Sequence, residues 1–437
     1  MTTKLSILIL HRLGETRSWR ESMADKELCL PRFAPDHNYL VHDFGLPLPD
    51  YVKGIAFDAI VLTQTFLGSR QDPGLRARLE IVYGDLLRSS SFKIALPQDD
   101  YTCSGILDRW MSDWHVDVVY PVCVNDWDAL YPNYSKTGKL KQGFTGYIND
   151  DLIASTNSLR TISERLTDVA YRAANLSPVF GRMGQIKIEF GERFLKVATG
   201  LPLQIDVSTR QQDTILGTRW YDFIANTRCM LGVKSGSSLL DPDGLINERV
   251  FRYLLRHPKA SYKEVEAACF QGQDGQYEFT MISPRNLECA LFGTVQILTP
   301  GHYGDFLQPW EHYIPLEPDM SNFADVAPLL QDHAYLQAMA ARCRDSMLSY
   351  PQLRYRNHVA ELIEEIQNHT RFTDAERANS VPLIERHRRE MVELAPAFWR
   401  KQRLVTKARQ TLGDMGLRRL KYWFKDRIDR QTVKVQS

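Results

Sequence analysis

The chain has 437 residues, of which 43% are hydrophobic and 24% are charged, and its formal net charge is +1. These values are ordinary for a soluble globular protein, and the length predicts two or three folding units. The seven cysteines are scattered without a C-x-x-C pair. This spacing argues against a disulfide framework or a zinc site and indicates a reducing compartment.

The N-terminal region contains a short apolar run at residues 5–10. The run is too short and wrongly flanked for a signal peptide, and it predicts a first buried strand. No apolar stretch in the sequence approaches the ~20 residues that a membrane-spanning helix needs. We therefore expect a cytoplasmic protein.

Strand and helix patterns alternate in the first third of the chain. Apolar runs typical of strands lie at 59–63, 92–96 and 118–122, and a helical pattern extends from Pro73 to Leu87. Such alternation predicts a parallel sheet covered by helices on both faces. Functional residues are then expected in the loops at the carboxyl ends of the strands.

The polar segment from Tyr134 to Leu159 predicts a linker or domain boundary. A second set of strand and helix patterns extends from Asp168 to about Asp332, and the pattern is helical from Tyr335 onwards. The sequence therefore predicts an N-terminal domain at 1–158, a second domain at 159–345 and a helical extension at 346–437.

Residues 278–299 are the most informative part of the second domain. Residues 279–282 are typical of a strand, Ser283 suits a helix N-cap, and Pro284 suits the first helical position. Gly293 would end the helix, and residues 295–298 are typical of the next strand. We interpret this segment as a compact βαβ unit.

The start of this predicted helix has the chemistry of an anion site. Free amides from Ser283 to Asn286 and the helix dipole favour a phosphate there, and Arg285 adds a charged fork. Glu288 lies about one turn further on and suits a ribose diol. An ordinary βαβ unit with a solvated Arg and a surface Glu remains an equally simple interpretation.

The run from Pro284 to Thr294, with its Glu and its Gly-Thr pair, resembles the nucleotide-binding segment of GT-B glycosyltransferases. It is most similar to the "glycosyl transferases group 1" type found in bacterial polysaccharide and lipopolysaccharide synthesis. Further similar runs lie at 231–238, 241–244, 301–304 and 310–316, with a weaker one at 97–101. The resemblance implies an α/β fold in which two Rossmann-like domains face a cleft, with a helical C-terminal extension.

The resemblance also implies roles for individual residues. The second domain would bind a nucleotide-sugar donor, with Glu288 on the ribose, Arg285 near the diphosphate, and Arg172 and Lys187 neutralising the phosphates. The turn expected at Gly236, Ser237 and Ser238 would face an anion, although a plain strand-to-loop turn fits equally well. Ser283 and Asn286 complete the predicted donor site. The chain departs from the family at Thr280, where many members carry a second Glu, and this leaves the stereochemical class open.

The first domain would bind a glycan or lipid-linked acceptor and supply a general base. Asp99 and Asp100 follow the strand at 92–96, and His11 follows the strand at 5–10, so these three are the candidates. N-cap or structural roles are the alternatives. His302, Tyr303 and His312 are further cleft candidates, and Tyr313 is expected in the core. Members of this fold need no bound metal, so neither a metal nor a cofactor is predicted.

The C-terminal tail is strongly basic, with eleven Lys and Arg against three Asp between residues 400 and 430. Between 416 and 430, apolar and basic residues alternate at helical spacing. This pattern is typical of an amphipathic helix on anionic lipid, and a helix docked on the first domain fits it equally well. Nucleic-acid binding is not predicted, because no aromatic-rich binding sheet accompanies the charge.

Two other functions remain open. A nucleotide-sugar epimerase or a phosphorylase would use the same scaffold, and a non-catalytic binding or scaffold protein would explain Thr280. The sequence contains no nucleophile triad, P-loop or H-E-x-x-H motif, which argues against the common hydrolases, kinases and zinc proteases.

Overall fold

The computed structural model describes residues 4–14, 21–156 and 158–412. The first part of the chain folds around a six-stranded sheet of order β2-β1-β3-β4-β5-β6, in which all neighbouring strands are parallel. Its strands are β1 Ser6–His11, β2 Asn38–Asp43, β3 Ala59–Leu62, β4 Phe92–Ala95, β5 Val118–Val119 and β6 Lys139–Leu140.

Both faces of the first sheet are buried. Leu8 and Leu10 of β1 lie in one apolar cluster, whereas Ile7 and Ile9 lie in the other. A strand covered on both faces needs apolar side chains at every position, and this explains its continuous apolar sequence. The helices of this part are α1 Glu21–Glu27, α2 Cys29–Phe33, α3 Gln64–Leu67, α4 Pro73–Leu87, α5 Ser104–Asp113, α6 Trp127–Leu130 and α7 Asp150–Ser155.

Helix α4 matches the predicted helix at both ends. The Asp72 carboxylate accepts hydrogen bonds from the amides of Gly74 (2.8 Å) and Leu75 (3.3 Å), and Pro73 occupies the first helical position. The cap satisfies amides that have no partner inside the helix. The prediction of this helix is confirmed.

The second part of the chain folds around a five-stranded parallel sheet of order β13-β12-β9-β7-β8. Its strands are β7 Thr167–Arg172, β8 Ile205–Ser208, β9 Thr227–Gly232, β12 Val295–Leu298 and β13 Tyr313–Pro315. Its helices are α8 Gly181–Val197, α9 Thr218–Ala225, α10 Leu245–Arg256, α11 Tyr262–Cys269, α12 Pro284–Leu291 and α13 Phe323–Val326. Two parallel sheets with flanking helices confirm the predicted pair of Rossmann-like domains.

The predicted βαβ unit is wrong in one respect. Strand β11 (Phe279–Met281) does not join the sheet that contains β12, because it pairs antiparallel with β10 (Ser235–Ser237) in a separate two-stranded sheet. Phe279 and Met281 pack into a core cluster of the first domain. The strand therefore belongs to the contact between the domains, although its length and the helix after it match the prediction.

The predicted linker is shorter than expected. Tyr134 is only 3% exposed and packs in the first core, and β6 is the edge strand of the first sheet. The segment at 134–140 therefore belongs to the first domain. Local polarity marked it as a linker because edge strands carry polar residues. The boundaries near residues 158 and 345 stay predictions.

Three helices follow the second sheet, namely α14 His333–Leu348, α15 Tyr355–Gln367 and α16 Asp374–Leu412. Helix α14 packs on the second domain through Leu336 and Met339. Helix α15 packs on the first domain through Tyr355 and Leu362, and α16 places Ile384 in the first core. The helical extension is confirmed within the described residues. None of the helices described is long and apolar enough to cross a membrane.

Candidate functional site

The start of α12 has the predicted cap, but its amides are occupied. The Ser283 hydroxyl accepts a hydrogen bond from the Arg285 amide (3.3 Å), and the Asn286 side-chain oxygen accepts one from the Ser283 amide (3.1 Å). The expectation of free amides for a phosphate is therefore wrong. Asn286 forms a capping box with Ser283, and such a box satisfies reciprocally the groups that an anion would otherwise bind.

A cavity of about 350 Å³ opens beside this helix start. We call it the α12 cavity. Its lining comes from the ends of β7 and β9, the segment that leads into α9, and the first turn of α12. Among the predicted site residues, it is lined by Arg172, Lys187, Ser283, Arg285, Asn286 and Glu288. Its size is typical of a small-molecule site.

Two cations face this cavity from different helices. Lys187 lies on α8 and Arg285 on α12, and neither forms an ion pair with a carboxylate within 4.0 Å in the part of the chain that the structure describes. Burial and, to a smaller extent, the charge of Arg285 lower the pKa of Lys187 to about 8, while the charge of Asp99 opposes the shift. Two half-buried cations at one cavity, neither with a carboxylate ion pair in the described residues, form a site for an anion.

Aromatic rings hold the Arg285 guanidinium in place. It lies 5.4 Å from the centre of the Trp220 ring and 5.6 Å from that of Tyr171, and it donates a hydrogen bond to the Arg172 carbonyl (2.6 Å). The Tyr171 hydroxyl donates to the Lys187 carbonyl (3.0 Å), which ties α8 to β7. Ring faces attract cations, so these contacts orient Arg285 without neutralising it.

Glu288 lies on the wall of the α12 cavity. Its carboxylate accepts a hydrogen bond from the Trp220 indole nitrogen (2.8 Å). A carboxylate accepts several hydrogen bonds, and this contact fixes the direction of the Glu288 side chain. The side chain also borders a second cavity of about 360 Å³ between the two domains.

Arg172 is held by protein groups. One of its guanidinium nitrogens lies 2.8 Å from both carboxylate oxygens of Asp206, and its other terminal nitrogen donates to the carbonyls of Tyr171 and Asp206, both at 2.9 Å. The Phe223 ring centre is 4.6 Å away. Arg172 borders the cavity, but its charge is paired, which separates it from Lys187 and Arg285.

The segment Gly236, Ser237 and Ser238 does not form the expected turn, because its first two residues belong to strand β10. The Ser237 hydroxyl donates to the Leu239 carbonyl (3.0 Å), and the Ser238 hydroxyl donates to Asp274 (2.6 Å). A Cβ atom at Gly236 would lie 1.8 Å from the Phe279 carbonyl oxygen. The glycine therefore permits the close approach of two strands, and none of the three residues lines the α12 cavity.

Thr280, the position of departure from the family pattern, contacts the first domain. Its amide and its hydroxyl both donate to the Asn125 side-chain oxygen (3.0 and 3.1 Å), and its carbonyl accepts from the Val124 amide (2.9 Å). Nearby, the Thr145 hydroxyl hydrogen-bonds to the Ile282 carbonyl (2.5 Å). Thr280 thus has a structural partner in the interdomain contact.

The two carboxylates among the three candidate bases of the first domain have different environments. Asp100 is 0% exposed, and one of its oxygens accepts from the amides of Val122 (3.0 Å) and Cys123 (3.4 Å). Burial raises the pKa of Asp100 to about 6, against the opposing effect of Arg70. Asp99 is partly exposed and accepts a hydrogen bond from the Tyr101 hydroxyl (2.8 Å). Of these two carboxylates, Asp99 is the one whose negative charge raises the pKa of Lys187.

His11 lies at the carboxyl edge of the first sheet. Its Nδ1 accepts a hydrogen bond from the Leu13 amide (3.1 Å) and lies 3.6 Å from an Asp43 carboxylate oxygen. Burial lowers the pKa of His11, and Asp43 opposes the shift. The lowered pKa favours the neutral ring, and the bond from the Leu13 amide makes Nδ1 the acceptor.

The remaining candidates lie outside the α12 cavity. Tyr303 is 2% exposed and donates to the Thr299 carbonyl (2.8 Å), and His312 accepts from the Gln308 amide (3.0 Å). His302 is exposed. Tyr313 is buried in the core as predicted.

Within residues 4–14, 21–156 and 158–412, no three His, Cys, Asp or Glu side chains gather as metal ligands would. The basic helix predicted at 416–430 lies outside the described residues.

Several contributors were not predicted from the sequence. Trp220 and Tyr171 hold Arg285, Asn125 binds Thr280 of the second domain, and Tyr101 binds Asp99. Trp220, Tyr171 and Asn125 are isolated aromatic or amide residues without a motif, whereas Tyr101 ends the similar run at 97–101. For Tyr171, the one usable signal was its position near Asp168, where the second set of strand and helix patterns begins.

No protein-family model matches the chain, and no curated protein sequence matches it. Solved structures do. An alpha-glucosyltransferase in complex with UDP and a 13-mer DNA containing an HMU base is 11% identical over 83% of this chain and 99% of that one, with a TM-score of 0.49. The Anabaena protein HepE in complex with UDP-glucose is 9% identical over 83% and 100%, with a TM-score of 0.46. The T4 phage protein BGT with its UDP-glucose substrate is 11% identical over 84% and 100%, with a TM-score of 0.44.

Proposed function

We propose that this chain is a glycosyltransferase that moves a sugar from a nucleotide-sugar donor to a hydroxyl group of an acceptor. The observation that carries the proposal is the pair of cations, Lys187 and Arg285, which faces the α12 cavity without a carboxylate ion pair in the described residues. Two such charges match the two charged phosphates of a nucleoside diphosphate.

The surrounding groups suit the rest of a donor molecule. Glu288 offers acceptor oxygens to a ribose diol, and Trp220 fixes its direction. Ile215 and Leu216 add an apolar wall to the same cavity, which suits the flat ring of a nucleobase.

The chemistry follows from the charges. The bond between the sugar C1 atom and the diphosphate oxygen breaks, and the electron pair stays on the leaving diphosphate, where Lys187 and Arg285 stabilise it. The acceptor oxygen forms the new bond to C1. In an inverting reaction, its proton passes to a carboxylate of the first domain, for which Asp99 is our choice because it is partly exposed, whereas Asp100 is fully buried.

For the acceptor, we propose a glycan or a lipid-linked glycan of surface polysaccharide or lipopolysaccharide synthesis. This proposal is supported by the sequence resemblance at 301–304 and 310–316. It includes a cytoplasmic location in which the basic tail contacts anionic lipid. Co-sedimentation with phosphatidylglycerol vesicles, with a chain that ends at residue 412 as the control, tests the location. Equal sedimentation of both chains would contradict the proposed contact between the basic tail and the membrane.

A binding screen tests the donor. UDP, GDP, dTDP and CMP sugars are each added to the protein, and the shift in unfolding temperature is measured. A ligand at one hundred times its Kd stabilises the fold by ~2.7 kcal/mol, so one nucleotide class should raise the unfolding temperature clearly. A flat response to every nucleotide sugar would contradict the proposal.

Matched variants locate the bound donor. Lys187→Met should remove the response, whereas Lys196→Met should keep it, because Lys196 is exposed on the same helix, α8. Incubation of the bound donor with and without glycan acceptors then separates the reactions. Acceptor-dependent release of nucleoside diphosphate supports a transferase. Interconversion of the sugar without an acceptor would indicate an epimerase instead.

A further inference from the structure

Tyr101 belongs to the first domain by sequence, but its ring is packed between residues of the second. It is 3% exposed, it stacks on Phe279 with 6.2 Å between ring centres, and it meets Phe180 edge to face at 6.1 Å. Phe279 lies in β11, and Phe180 directly precedes α8, the helix that carries Lys187. The position of the Tyr101 ring is therefore set by the elements that lead into the α12 cavity.

The backbone around Tyr101 is also joined to the second domain. The Cys103 amide donates to the Asp241 carbonyl (2.8 Å), the Asp241 amide donates to the Tyr101 carbonyl (3.2 Å), and the Gly105 amide donates to the Pro242 carbonyl (3.0 Å). Arg109 and Asp243 add an ion pair at 3.1 Å. These contacts hold the segment that follows β4 against the second domain.

The Tyr101 hydroxyl connects this junction to Asp99. It donates a hydrogen bond of 2.8 Å to one Asp99 carboxylate oxygen. The Asp99 backbone has a φ of +51°, a conformation that residues other than glycine rarely adopt. Arg70 supports it by donating to the carbonyls of Gln98 and Asp99, both at 2.8 Å. Two independent restraints thus act on Asp99, one on its backbone and one on its side chain.

We propose that Tyr101 is a positioning residue through which the second domain sets the direction of the Asp99 carboxylate toward the acceptor. The inference rests on the proposed glycosyl transfer and adds to it a link between the domains. The Tyr101 hydroxyl binds one oxygen of the Asp99 carboxylate, and the other oxygen is then the one that receives the acceptor proton. The Tyr101 ring is buried in the contact between the domains and cannot move without separating them. Its hydrogen bond therefore holds the Asp99 carboxylate in one direction.

Tyr101→Phe tests the link, because it removes the hydroxyl and keeps the stacked ring. We expect kcat for sugar transfer to fall at least tenfold, while the Kd of the nucleotide donor stays within twofold. Tyr134→Phe is the matched control. Tyr134 is also a buried tyrosine of the first domain, and its hydroxyl donates to the Val116 carbonyl (2.9 Å) away from the site. Its kcat should remain that of the unmodified chain.

A double-variant cycle separates positioning from a general loss of structure. In the Asp99→Asn background, Tyr101→Phe should have no further effect on kcat, because the carboxylate that it orients is gone. Full kcat in Tyr101→Phe, or multiplicative losses in the double variant, would overturn the inference. Absence of nucleotide-sugar binding and transfer by the unmodified chain would instead overturn the proposed function, so the two failures are distinguishable.

Discussion

Lys187 and Arg285 lie on separate helices of the second domain and line the same cavity, the α12 cavity. The positive charge of Arg285 repels that of Lys187. Burial and this repulsion together lower the pKa of Lys187 to about 8. The ordinary pKa of a lysine is near 10.4, so the folded chain holds this proton weakly. An anion between the two cations would relieve the repulsion, and anion binding should therefore be coupled to proton uptake.

The coupling predicts that nucleotide binding weakens as the pH rises through about 8. Above this pH, Lys187 becomes neutral and loses a charge-assisted hydrogen bond, which is worth about 1.5–3 kcal/mol. The Kd of the best nucleoside diphosphate, measured by calorimetry from pH 6.5 to pH 9.5, should rise tenfold or more. Lys187→Arg should flatten the profile, because a guanidinium keeps its charge throughout. A constant Kd in the unmodified chain would contradict the coupling.

Arg285→Met should change both the affinity and its pH dependence. At pH 7, the Kd of the nucleotide should rise at least tenfold because one of the two cations is lost. The pKa of Lys187 should rise at the same time, since the repulsion from Arg285 disappears. The midpoint of the pH profile would then lie above that of the unmodified chain. A midpoint that stays in place would show that Arg285 does not act on Lys187.

Glu288→Ala should weaken nucleotide binding by about 1.5–3 kcal/mol, the range for a hydrogen bond to a charged group. The fold should remain, because Glu288 is half-buried at the cavity wall and does not belong to the apolar core. Calorimetric titration measures the loss, and circular dichroism checks the fold. Glu189→Ala is the control, since Glu189 forms a surface ion pair with Arg193 on α8 (2.7 Å). Equal nucleotide affinities of the two variants would show that Glu288 does not contact the donor.

The docking of α16 on the first domain depends on a buried ion pair. Arg377 is 6% exposed and binds both oxygens of Asp58, which is 2% exposed, at 2.9–3.1 Å. Arg377→Met would leave the carboxylate buried and uncompensated, and the expected loss in free energy of unfolding is about 3–5 kcal/mol. Arg388→Met, which breaks an exposed pair with Glu385, should lose under about 1 kcal/mol. Urea unfolding compares them, and similar losses would contradict the prediction.

A pair of buried histidines predicts acid sensitivity at the same junction. His42 Nδ1 lies 3.0 Å from His387 Nε2, and burial lowers the pKa of His42 to about 3 and that of His387 to about 4. The unfolded chain takes up these protons near pH 6.5, so stability is full above this pH and falls as the pH drops toward the folded values. The loss between pH 6.5 and pH 5 should reach about 2 kcal/mol for each ring. His387→Leu should show a shallower decrease in urea unfolding, and an equal decrease would contradict this origin.

The alternation of apolar runs and helices was enough to predict the two parallel sheets. Residues 59–62 and 92–95 are buried on both faces, so composition alone marks them as central strands. The partner of β11 was not predictable in this way. Phe279 and Met281 show that the strand is buried, but no local feature states whether its neighbour is β12 or β10. Pairing is decided by long-range contacts, here those of Thr280 with Asn125.

The candidate site was also predictable only where local sequence determines it. Ser283, Arg285 and Glu288 belong to one helix start, and local spacing placed them beside one another. Spacing did not reveal that the Asn286 side chain would occupy the Ser283 amide. It also did not reveal that Asp206 would pair with Arg172 while Lys187 has no such partner in the described residues. Which cation is neutralised depends on residues that are distant in sequence, and a single sequence does not pair them.

A crystal structure of the chain with the nucleoside diphosphate that binds best tests the central claim most directly. The claim predicts a diphosphate within hydrogen-bond distance of Lys187 Nζ and the Arg285 guanidinium, with the ribose hydroxyls on the Glu288 carboxylate. A nucleotide bound elsewhere, with the α12 cavity empty and the two cations unmoved, would contradict it.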